Sequence, residues 1–490
     1  MKISSLWPIK SSELLKFSLM GLLMFVILLN QNLIRGMKDS IVVTMIGAET
    51  ISFIKIWIEA PVGVIFVLSY YKLCNIMTTE QAFRLIVLSF LTFFALVVFL
   101  IFPNQDLLHP SSDIINYYII LYPHLKWFIV LYSKWSLVLF YVFGELWPVI
   151  TFFLLFWQLA NKITTTDEAK RFYTLFNLFG QTNLLFSGSL LMYFTSDTHI
   201  LTNLFDVNST KNDITIKSIT ILVLVSGVVC ILLNKIIENK IIKPNLITQN
   251  KKNETLKLGI WESIKMTLSS RYLGKICVLM ICYSVSVNLI EGLWMSTTKE
   301  LYPSTSEFMN YQGKVLFATG IAALLFSFFG NIIIVRFGWY VATLLTPLSI
   351  FIAGGGFFLL IISKNYLVEI FTYSTTEILL VIVLFGALQN IVSKGIKYAM
   401  FDSTKEMLYI PLNSELKTKG KAAVDILGAK LGKFSGASVQ ALAFILAPSA
   451  SYQDLSFILT ISFAITCFIW LIVLNRMSNS YYKLCSLSQN

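Results

Sequence analysis

Four groups of ionisable side chains interrupt otherwise apolar stretches of this 490-residue sequence. They centre on Lys38, Glu145, Glu291 and Lys433. Placing a charged side chain at the centre of a bilayer costs about 2.5–3.5 kcal/mol on insertion scales. Charges retained inside membrane segments therefore tend to mark pathways for substrates or ions, and we take these four residues as the candidate transport site.

The first group ends an apolar run and holds two basic residues and one acidic residue. Arg35 and Asp39 are four residues apart, so they can pair on one face of a helix. This leaves Lys38 without an obvious local partner. Two interpretations stay open: the lysine reaches the lipid headgroups, or it faces a central cavity and binds an anion.

Glu145 and Glu291 have no basic residue within one helical turn, so a local salt bridge explains neither. Pro148 follows Glu145 and frees backbone groups one turn on, as is common where a helix lines a cavity. Each carboxylate could pair with another helix for structural reasons, or could take part in transport.

Lys433 lies among Gly428, Gly432 and Gly436, whose spacing is typical of close helix packing. Packing does not account for a lysine deep in an apolar stretch. The string around Lys433 lacks the spacing of a phosphate-binding P-loop, and Phe434 follows the lysine in place of a hydroxyl residue. ATP hydrolysis is therefore not supported.

Together, two lysines and two glutamates nearly neutralise each other. Lysines bind phosphate as point charges, and the glutamates could hold them when no substrate is bound. This arrangement is expected of a cavity that handles a polyanion. Tyr141, Trp147 or Trp294 could stack on a base, although aromatic residues in apolar segments more often serve packing.

The elements that position these charges are predicted to be membrane-spanning helices. Hydrophobic residues make up 56% of the sequence and charged residues only 13%, far from the composition of soluble domains. Apolar runs near the length that spans a bilayer recur about twelve times. The predicted spans are 17–34, 51–71, 84–102, 136–160, 173–194, 217–234, 274–297, 315–335, 340–363, 375–393, 422–447 and 455–475.

Lysine and arginine concentrate in alternate linkers, which by the positive-inside rule places both termini in the cytoplasm. An even number of spans with a long basic central linker is typical of the 6+6 major-facilitator arrangement. We expect an N-terminal six-helix half at 1–234, a basic cytoplasmic linker at 235–273 and a C-terminal six-helix half at 274–490. The similar strings at 32–36 and 288–292 support this repeat.

Other function classes find less support. The net charge of +12 is spread over short linkers and forms no continuous basic face, so no nucleic-acid partner is expected. Cysteines and histidines show no metal-ligand spacing, and we expect no metal and no other cofactor. The aromatic segment 113–134 could be an interfacial helix or part of a longer fourth span, and we favour the interface.

The four charged neighbourhoods resemble those of the bacterial and plastidic ATP/ADP translocases, and the resemblance covers nearly the whole chain. It rests on 35–44, 144–147, 288–291 and 420–433. The resemblance implies an all-α, multi-pass protein in the inner membrane of an obligate intracellular bacterium. It also implies that host nucleotide is imported against a bacterial one, with no enzymatic activity and no required protein partner.

Carried over from the family, the critical charges are Lys38, Glu145, Glu291 and Lys433. The secondary candidates are Arg35, Lys421, Trp147 and Asn288. The chain departs from the family pattern at Gly36 and Met37, where ATP/ADP exchangers usually have Asp and Thr. It departs again at Met295, where the family often has a basic residue.

Three alternatives to ATP/ADP exchange stay open. The chain could exchange other nucleotides, such as GTP and GDP, CTP or UTP. It could import a nucleotide with a proton carried by Glu145 or Glu291. More distantly, it could be a membrane-embedded enzyme or a nucleotide sensor, although neither a catalytic cluster nor an output domain is evident.

Overall fold

A computed structural model describes residues 9–205, 209–243, 270–371, 374–412, 416 and 420–489, and this part of the chain is helical without strands. We number its long helices α1 to α12. In chain order they are α1 (Leu14–Met45), α2 (Thr50–Phe53, Ile54–Glu59 and Ala60–Ile76), α3 (Thr79–Leu96 and Val97–Ile101), α4 (Trp135–Trp147, Pro148–Phe156 and Trp157–Ile163), α5 (Thr166–Phe194), α6 (Lys211–Ile237 and Glu238–Ile242), α7 (Arg271–Leu301), α8 and α9 (together Thr305–Ile362), α10 (Thr375–Ile396, Lys397–Phe401 and Asp402–Met407), α11 (Lys421–Leu446) and α12 (Ser456–Gln489).

All twelve predicted spans lie in these helices to within one residue at either end. In the described ranges, ten helical segments are long and apolar enough to cross a membrane. Helices α5 and α11 are not among the ten, because polar residues such as Gln181 and Asn183 or Lys430 and Lys433 interrupt their apolar character. Twelve crossings and cytoplasmic termini therefore stay predictions.

Hydroxyl side chains fix where several helices begin. Thr78, Thr165, Thr210, Ser270 and Ser374 each accept a hydrogen bond from a backbone N–H in the first turn of the helix that follows. These caps satisfy donors that have no partner within the helix.

Two local irregularities shape the bundle. Ile54–Glu59 in α2 and Pro148–Phe156 in α4 are π-helical, a form that often occurs at functional sites. Pro148 lacks the N–H that a regular helix needs, which explains the second segment. Gly338, with φ of +81°, breaks the run Thr305–Ile362 into α8 and α9.

Large apolar side chains cover the outside of the bundle. Val64, Ile65, Phe328, Val335 and Leu359 are all more than half exposed. A water-soluble surface would rarely present apolar residues in such number, whereas a lipid-facing surface requires them. The charged side chains singled out above lie on the opposite, inward faces.

We call α1–α6 the N-terminal half and α7–α12 the C-terminal half. Backbones of α5 and α8 approach closely through glycines: a Cβ at Gly188 would lie 2.7 Å from Gly313 O, and one at Gly320 would lie 3.0 Å from Leu185 N. These contacts join the two halves along one side of the bundle.

The three spaced glycines of α11 pack on α7. A Cβ added at Gly428 or Gly436 would lie 2.8 Å or 2.9 Å from the Cβ atoms of Met280 and Asn288, and Gly432 abuts Ser284. These three glycines therefore serve close helix packing, as their spacing in the sequence indicated. This packing also aims the neighbouring Lys433 into the space between the halves.

Most of the predicted linker 235–273 lies outside the described residues. The helices on either side run into it, since α6 continues to Ile242 and α7 begins at Arg271. The aromatic segment forms its own short helices, Ser112–Leu121 and Lys126–Ser133, and is not an extension of α4.

Candidate functional site

Helix α1 carries a buried lysine at the centre of the bundle. The Lys38 side chain is 3% exposed, and its Nζ lies 2.5 Å from Asp39 Oδ1 and 2.7 Å from Glu145 Oε1. It also lies 3.9 Å from the centre of the Tyr141 ring, a cation–π contact. Lys38 therefore faces the protein interior, which excludes the lipid-headgroup interpretation in this conformation.

Glu145 connects the two halves of the molecule. Its second oxygen, Oε2, accepts a hydrogen bond of 2.8 Å from Lys433 Nζ on α11. Gly144 makes room for this arrangement, because a Cβ there would lie 2.6 Å from Lys38 Cδ. One carboxylate thus holds a lysine from each half.

Glu291 on α7 holds a second set of cations. Arg35 Nη2 donates to Glu291 Oε1 over 2.9 Å, and Lys394 Nζ lies 3.5 Å from the same oxygen. Arg35 Nε also lies 3.7 Å from Asp39 Oδ2, the predicted pairing along α1. Among the described residues the ion pairs of Glu291 are with Arg35 and Lys394, and not with Lys38 or Lys433, the lysines that the glutamates could have held.

Three charged residues of this region were missed at the sequence level. Lys55 and Glu59 lie on the π-helical part of α2, inside a predicted span. They are four residues apart, so the criterion that selected Glu145, the absence of a basic residue within one turn, passes over them. Lys394 was assigned to a linker because the tenth span was predicted to end at residue 393, whereas α10 continues to Met407.

We call these residues together the central cluster: Arg35, Lys38, Asp39, Lys55, Glu59, Glu145, Glu291, Lys394 and Lys433. It contains five cations and four carboxylates, a formal excess of one positive charge. Helices of both halves contribute to it. A polyanion entering the cluster would meet basic side chains from both sides.

Two cavities meet at the cluster. The larger, of about 230 Å³, has Arg35, Glu291 and Lys394 in its wall beside apolar residues such as Leu28 and Leu316. The smaller, of about 30 Å³, includes Lys55 and Glu145 in its lining. Arg35, Asp39, Glu291 and Met295 line both cavities. These four residues therefore form the partition between the two spaces.

Exposure differs sharply among the cations. The side chains of Arg35 and Lys433 are 42% and 44% exposed, whereas Lys38 is almost fully enclosed. Arg35 and Lys433 are therefore the more accessible of these cations, and of the three only Arg35 lines the two cavities. Lys38 becomes available only when its carboxylate partners, Asp39 and Glu145, move away from it.

The halves also touch at the end of the bundle that lies opposite the chain termini, here called the far end. The hydroxyls of Thr44 and Thr305 are 2.7 Å apart, and Asn212 Oδ1 accepts from Ser306 N over 2.9 Å. Lys126 Nζ donates to Pro448 O over 3.2 Å. These contacts hold the far end closed.

A partly buried carboxylate belongs to the same end. Glu49 lies in the turn between α1 and α2, and burial raises the pKa of its carboxyl above the ordinary value. The charges of Lys299 and Lys126 oppose that rise in pKa. The turn itself depends on Gly47, whose φ of +132° is strained for residues with a Cβ.

Two secondary candidates, Lys421 and Trp147, lie outside both the central cluster and the two cavities. Lys421 pairs with Glu406 near the beginning of α11, 2.5 Å from its Oε2. Trp147 is fully buried, donates to Ile27 O over 3.4 Å and packs edge-on against Phe90. This full burial and these contacts with Ile27 and Phe90 assign Trp147 to packing.

The other aromatic candidates divide in the same way. Trp294 is buried and donates to Val383 O over 3.0 Å, which again is a packing role. Tyr141 lines the smaller cavity and contacts Lys38. Asn288, a secondary candidate, also lines this cavity and accepts a hydrogen bond of 2.8 Å from Lys55.

The three departures from the family pattern have different surroundings. Gly36 lines the larger cavity and leaves room for Leu191, to which a Cβ would approach within 2.8 Å. Met37 is fully buried against Thr220 of α6, away from the cavities. Met295 lines both cavities. This chain therefore has a methionine in the partition at the position where the family resemblance predicts a basic residue.

In a comparison with known protein families, residues 2–481 match the family described as TLC ATP/ADP transporter. Curated relatives include "ADP,ATP carrier protein 4" of Rickettsia conorii, 43% identical over 99% of this chain and 95% of that protein. "ADP,ATP carrier protein 3" of Rickettsia prowazekii is 42% identical over 98% and 97%.

Solved structures of low sequence identity share the fold. A bacterial homologue of the iron transporter ferroportin, in an inward-facing state, aligns with a TM-score of 0.62 and 13% identity over 96% of this chain and all of that chain. A D-xylose–proton symporter aligns with a TM-score of 0.57 and 10% identity over 93% and 96%. The chain therefore has a major-facilitator-like helical fold.

Proposed function

The chain belongs to the TLC ATP/ADP transporter family, and from that premise we propose that it is a nucleotide antiporter of the ATP/ADP exchange type. We place it in the inner membrane of a bacterium that lives inside host cells; its relatives include ADP,ATP carrier proteins of Rickettsia conorii and Rickettsia prowazekii. It imports host nucleotide and exports a bacterial one, and its transported partners are nucleotides.

The observation that supports this proposal is the contact of Glu145 with Lys38 and Lys433, one lysine from each half. A phosphate chain carries several negative charges, and ammonium groups bind phosphate through strong charge-assisted hydrogen bonds. A bound nucleotide can replace Glu145 as the counter-charge of both lysines. The same groups are then satisfied with and without substrate.

Exchange follows from the cost of leaving those groups unpaired. When a nucleotide departs, Glu145 must return to the lysines, and this contact joins the two halves. Breaking it without a replacement anion leaves Lys38 with Asp39 alone and Lys433 with Glu59, 3.7 Å away, which is less favourable than the fully paired state. An empty carrier therefore reorients slowly, and a carrier that has bound nucleotide on either side reorients quickly.

Alternating access is the movement that this fold provides. The contacts of Thr44 with Thr305 and of Lys126 with Pro448 close the far end. Movement of the two halves away from each other at this end would break these contacts and open it. In major-facilitator transporters the two halves rock around a site near the middle of the membrane. The glycine contact of α5 with α8 allows close packing on one side of the bundle during that movement.

Proton-coupled import has less support than exchange. Its proposed proton carriers, Glu145 and Glu291, each pair with two cations in this conformation. A carboxylate held by two cations strongly favours the ionised form and is a poor proton carrier. Exchange requires no group to change protonation.

The test is uptake into proteoliposomes that contain the purified full-length chain. Labelled ATP, ADP, GTP, CTP and UTP are offered outside, with ATP, ADP or no nucleotide inside. We expect uptake of labelled ATP and ADP that requires internal nucleotide. Full-rate accumulation into empty liposomes would contradict exchange, and uptake that prefers another nucleotide pair would replace the ATP/ADP assignment.

A further inference from the structure

Lys55 differs from every other cation of the central cluster. Arg35, Lys38, Lys394 and Lys433 each form an ion pair with a carboxylate of the cluster. Lys55 Nζ instead donates to Asn288 Oδ1 over 2.8 Å. Among the residues that the structure describes, no carboxylate oxygen lies within the ion-pair distance of 4.0 Å from it.

The orientation of the Asn288 amide is fixed by its own helix. Its Nδ2 donates to Ser284 O over 2.9 Å, which leaves Oδ1 directed at Lys55. The backbone oxygen of Asn288 accepts from Gln440 Nε2 over 2.8 Å, and Gln440 accepts in turn from Tyr452 over 2.9 Å. A neutral, well-held acceptor therefore positions the Lys55 ammonium.

An amide oxygen satisfies one donor but does not neutralise the charge. A partly buried ammonium without a counter-ion in contact is unfavourable, and Lys55 is the one cation of the cluster for which the described residues provide no ion pair. This side chain lines the smaller cavity, which shares Arg35 and Glu291 with the larger one. An anion reaching past that pair would meet an ammonium that has no carboxylate to give up.

We propose that Lys55, held by Asn288, binds the phosphate group of the nucleotide furthest from the ribose. This inference rests on the proposed exchange of nucleotides and adds a residue that distinguishes nucleotides by the length of their phosphate chain. The apolar wall of the larger cavity suits the nucleoside, and the cations at the partition suit the first phosphates. The Arg35–Glu291 contact opens to admit the terminal phosphate.

The experiment measures equilibrium binding of ATP, ADP and AMP to the purified full-length protein and to four variants. Lys55→Gln removes the charge, and Lys55→Arg keeps it. Asn288→Asp supplies Lys55 with a carboxylate and so neutralises it while the lysine stays in place. Lys275→Gln is the matched control, since this lysine of α7 contacts Ser480 and Arg476 outside the cluster.

We expect Lys55→Gln to weaken ATP binding at least about tenfold, which corresponds to about 1.4 kcal/mol. The loss should be smaller for ADP and smallest for AMP, because only the longer chains reach this position. Asn288→Asp should reproduce that graded loss, Lys55→Arg should restore much of the ATP affinity, and Lys275→Gln should bind all three as the unmodified protein does.

Equal losses for ATP, ADP and AMP in both Lys55→Gln and Asn288→Asp would overturn the inference, since they indicate a general structural role. Unchanged ATP affinity in either variant would also overturn it. In both cases nucleotide binding by the unmodified protein would leave the proposed function intact. Absence of nucleotide binding by the unmodified protein would instead overturn the proposed function, and this inference with it.

Discussion

Arg35 and Glu291 pair with each other from matching positions of the two halves, Nη2 to Oε1 at 2.9 Å. They stand at the one position where the strings 32–36 and 288–292 differ. The repeat thus brings equivalent positions of α1 and α7 together at the centre of the bundle. Two like charges there would repel, so the two copies must carry opposite charges.

Removing Arg35 and removing Glu291 should have unequal effects. Removing Arg35 leaves Glu291 paired with Lys394, whereas removing Glu291 leaves both Arg35 and Lys394 without their shared carboxylate. We therefore expect Glu291→Gln to lower the thermal unfolding temperature and the exchange rate more than Arg35→Gln. The unfolding temperature is measured on purified protein, and the exchange rate is measured in proteoliposomes. Equal effects would show that Lys394 gains nothing from Glu291.

The second prediction concerns Lys38, Lys433 and Glu145. Lys38→Gln or Lys433→Gln should reduce nucleotide exchange to background while membrane insertion stays intact, because each removes a ligand of the phosphate chain. Glu145→Gln should bind nucleotide but turn over slowly, because the emptied carrier loses the carboxylate that Lys38 and Lys433 share and keeps only Asp39 beside Lys38 and the more distant Glu59 near Lys433. Binding and exchange are measured separately, at expression levels matched by quantitative blot.

Normal exchange in the double variant of Lys38→Gln and Lys433→Gln would contradict the proposed site. Loss of binding in Glu145→Gln, at unchanged turnover of the nucleotide that still binds, would contradict the role given to the carboxylate.

The third prediction tests the room that Gly144 leaves for Lys38. The added Cβ of Gly144→Ala would lie 2.6 Å from Lys38 Cδ and 3.1 Å from Ile34 Cγ2. Overpacking of this kind costs about 1–3 kcal/mol, and here it displaces an ammonium held by two carboxylates. We expect a marked loss of exchange. Gly355→Ala is the control, because no atom lies within 4 Å of its added Cβ.

The fourth prediction concerns the far end. Cysteines placed at Thr44 and Thr305, whose hydroxyls are 2.7 Å apart, should form a disulfide under mild oxidation. This crosslink would hold the far end closed, stop exchange and release it again on reduction. The single variants Thr44→Cys and Thr305→Cys should stay active under oxidation. Crosslinked protein that still exchanges nucleotide would show that the far end need not open there.

The fifth prediction concerns Trp147, which the sequence proposed as a possible partner for a base. Because it is fully buried and donates to Ile27 O, Trp147→Phe should lower stability without changing the ratio of ATP to GTP binding. A changed ratio would indicate that the side chain reaches the substrate after all.

The sequence was sufficient to predict the helices, because a bilayer imposes a length and an apolar character on every span. The cost of charge inside such spans also pointed to Lys38, Glu145, Glu291 and Lys433 as candidates, and the structure places these four in one cluster. The partners of these residues could not be predicted. Glu291 pairs with Lys394, 103 positions away and only just beyond a predicted span boundary, which depends on how α7 and α10 pack.

Aromatic residues illustrate the same limit. Tyr141 and Trp147 lie six positions apart on α4, yet one contacts Lys38 and the other packs against Phe90. Their residue types and apolar surroundings are alike in the sequence. Which ring reaches the site depends on how α4 is rotated relative to its neighbours. The π-helical segment of α4 begins at Pro148, directly after Trp147.

The single unmatched charge at Lys55 has a consequence for how membrane voltage acts on the carrier. An inside-negative potential changes the energy of one elementary charge by about 2.3 kcal/mol per 100 mV. In an exchanger the site crosses the membrane loaded in both directions, and the positive excess offsets one negative charge of each bound nucleotide. The potential therefore opposes import, and assists export, by one elementary charge less than the nucleotide alone would experience.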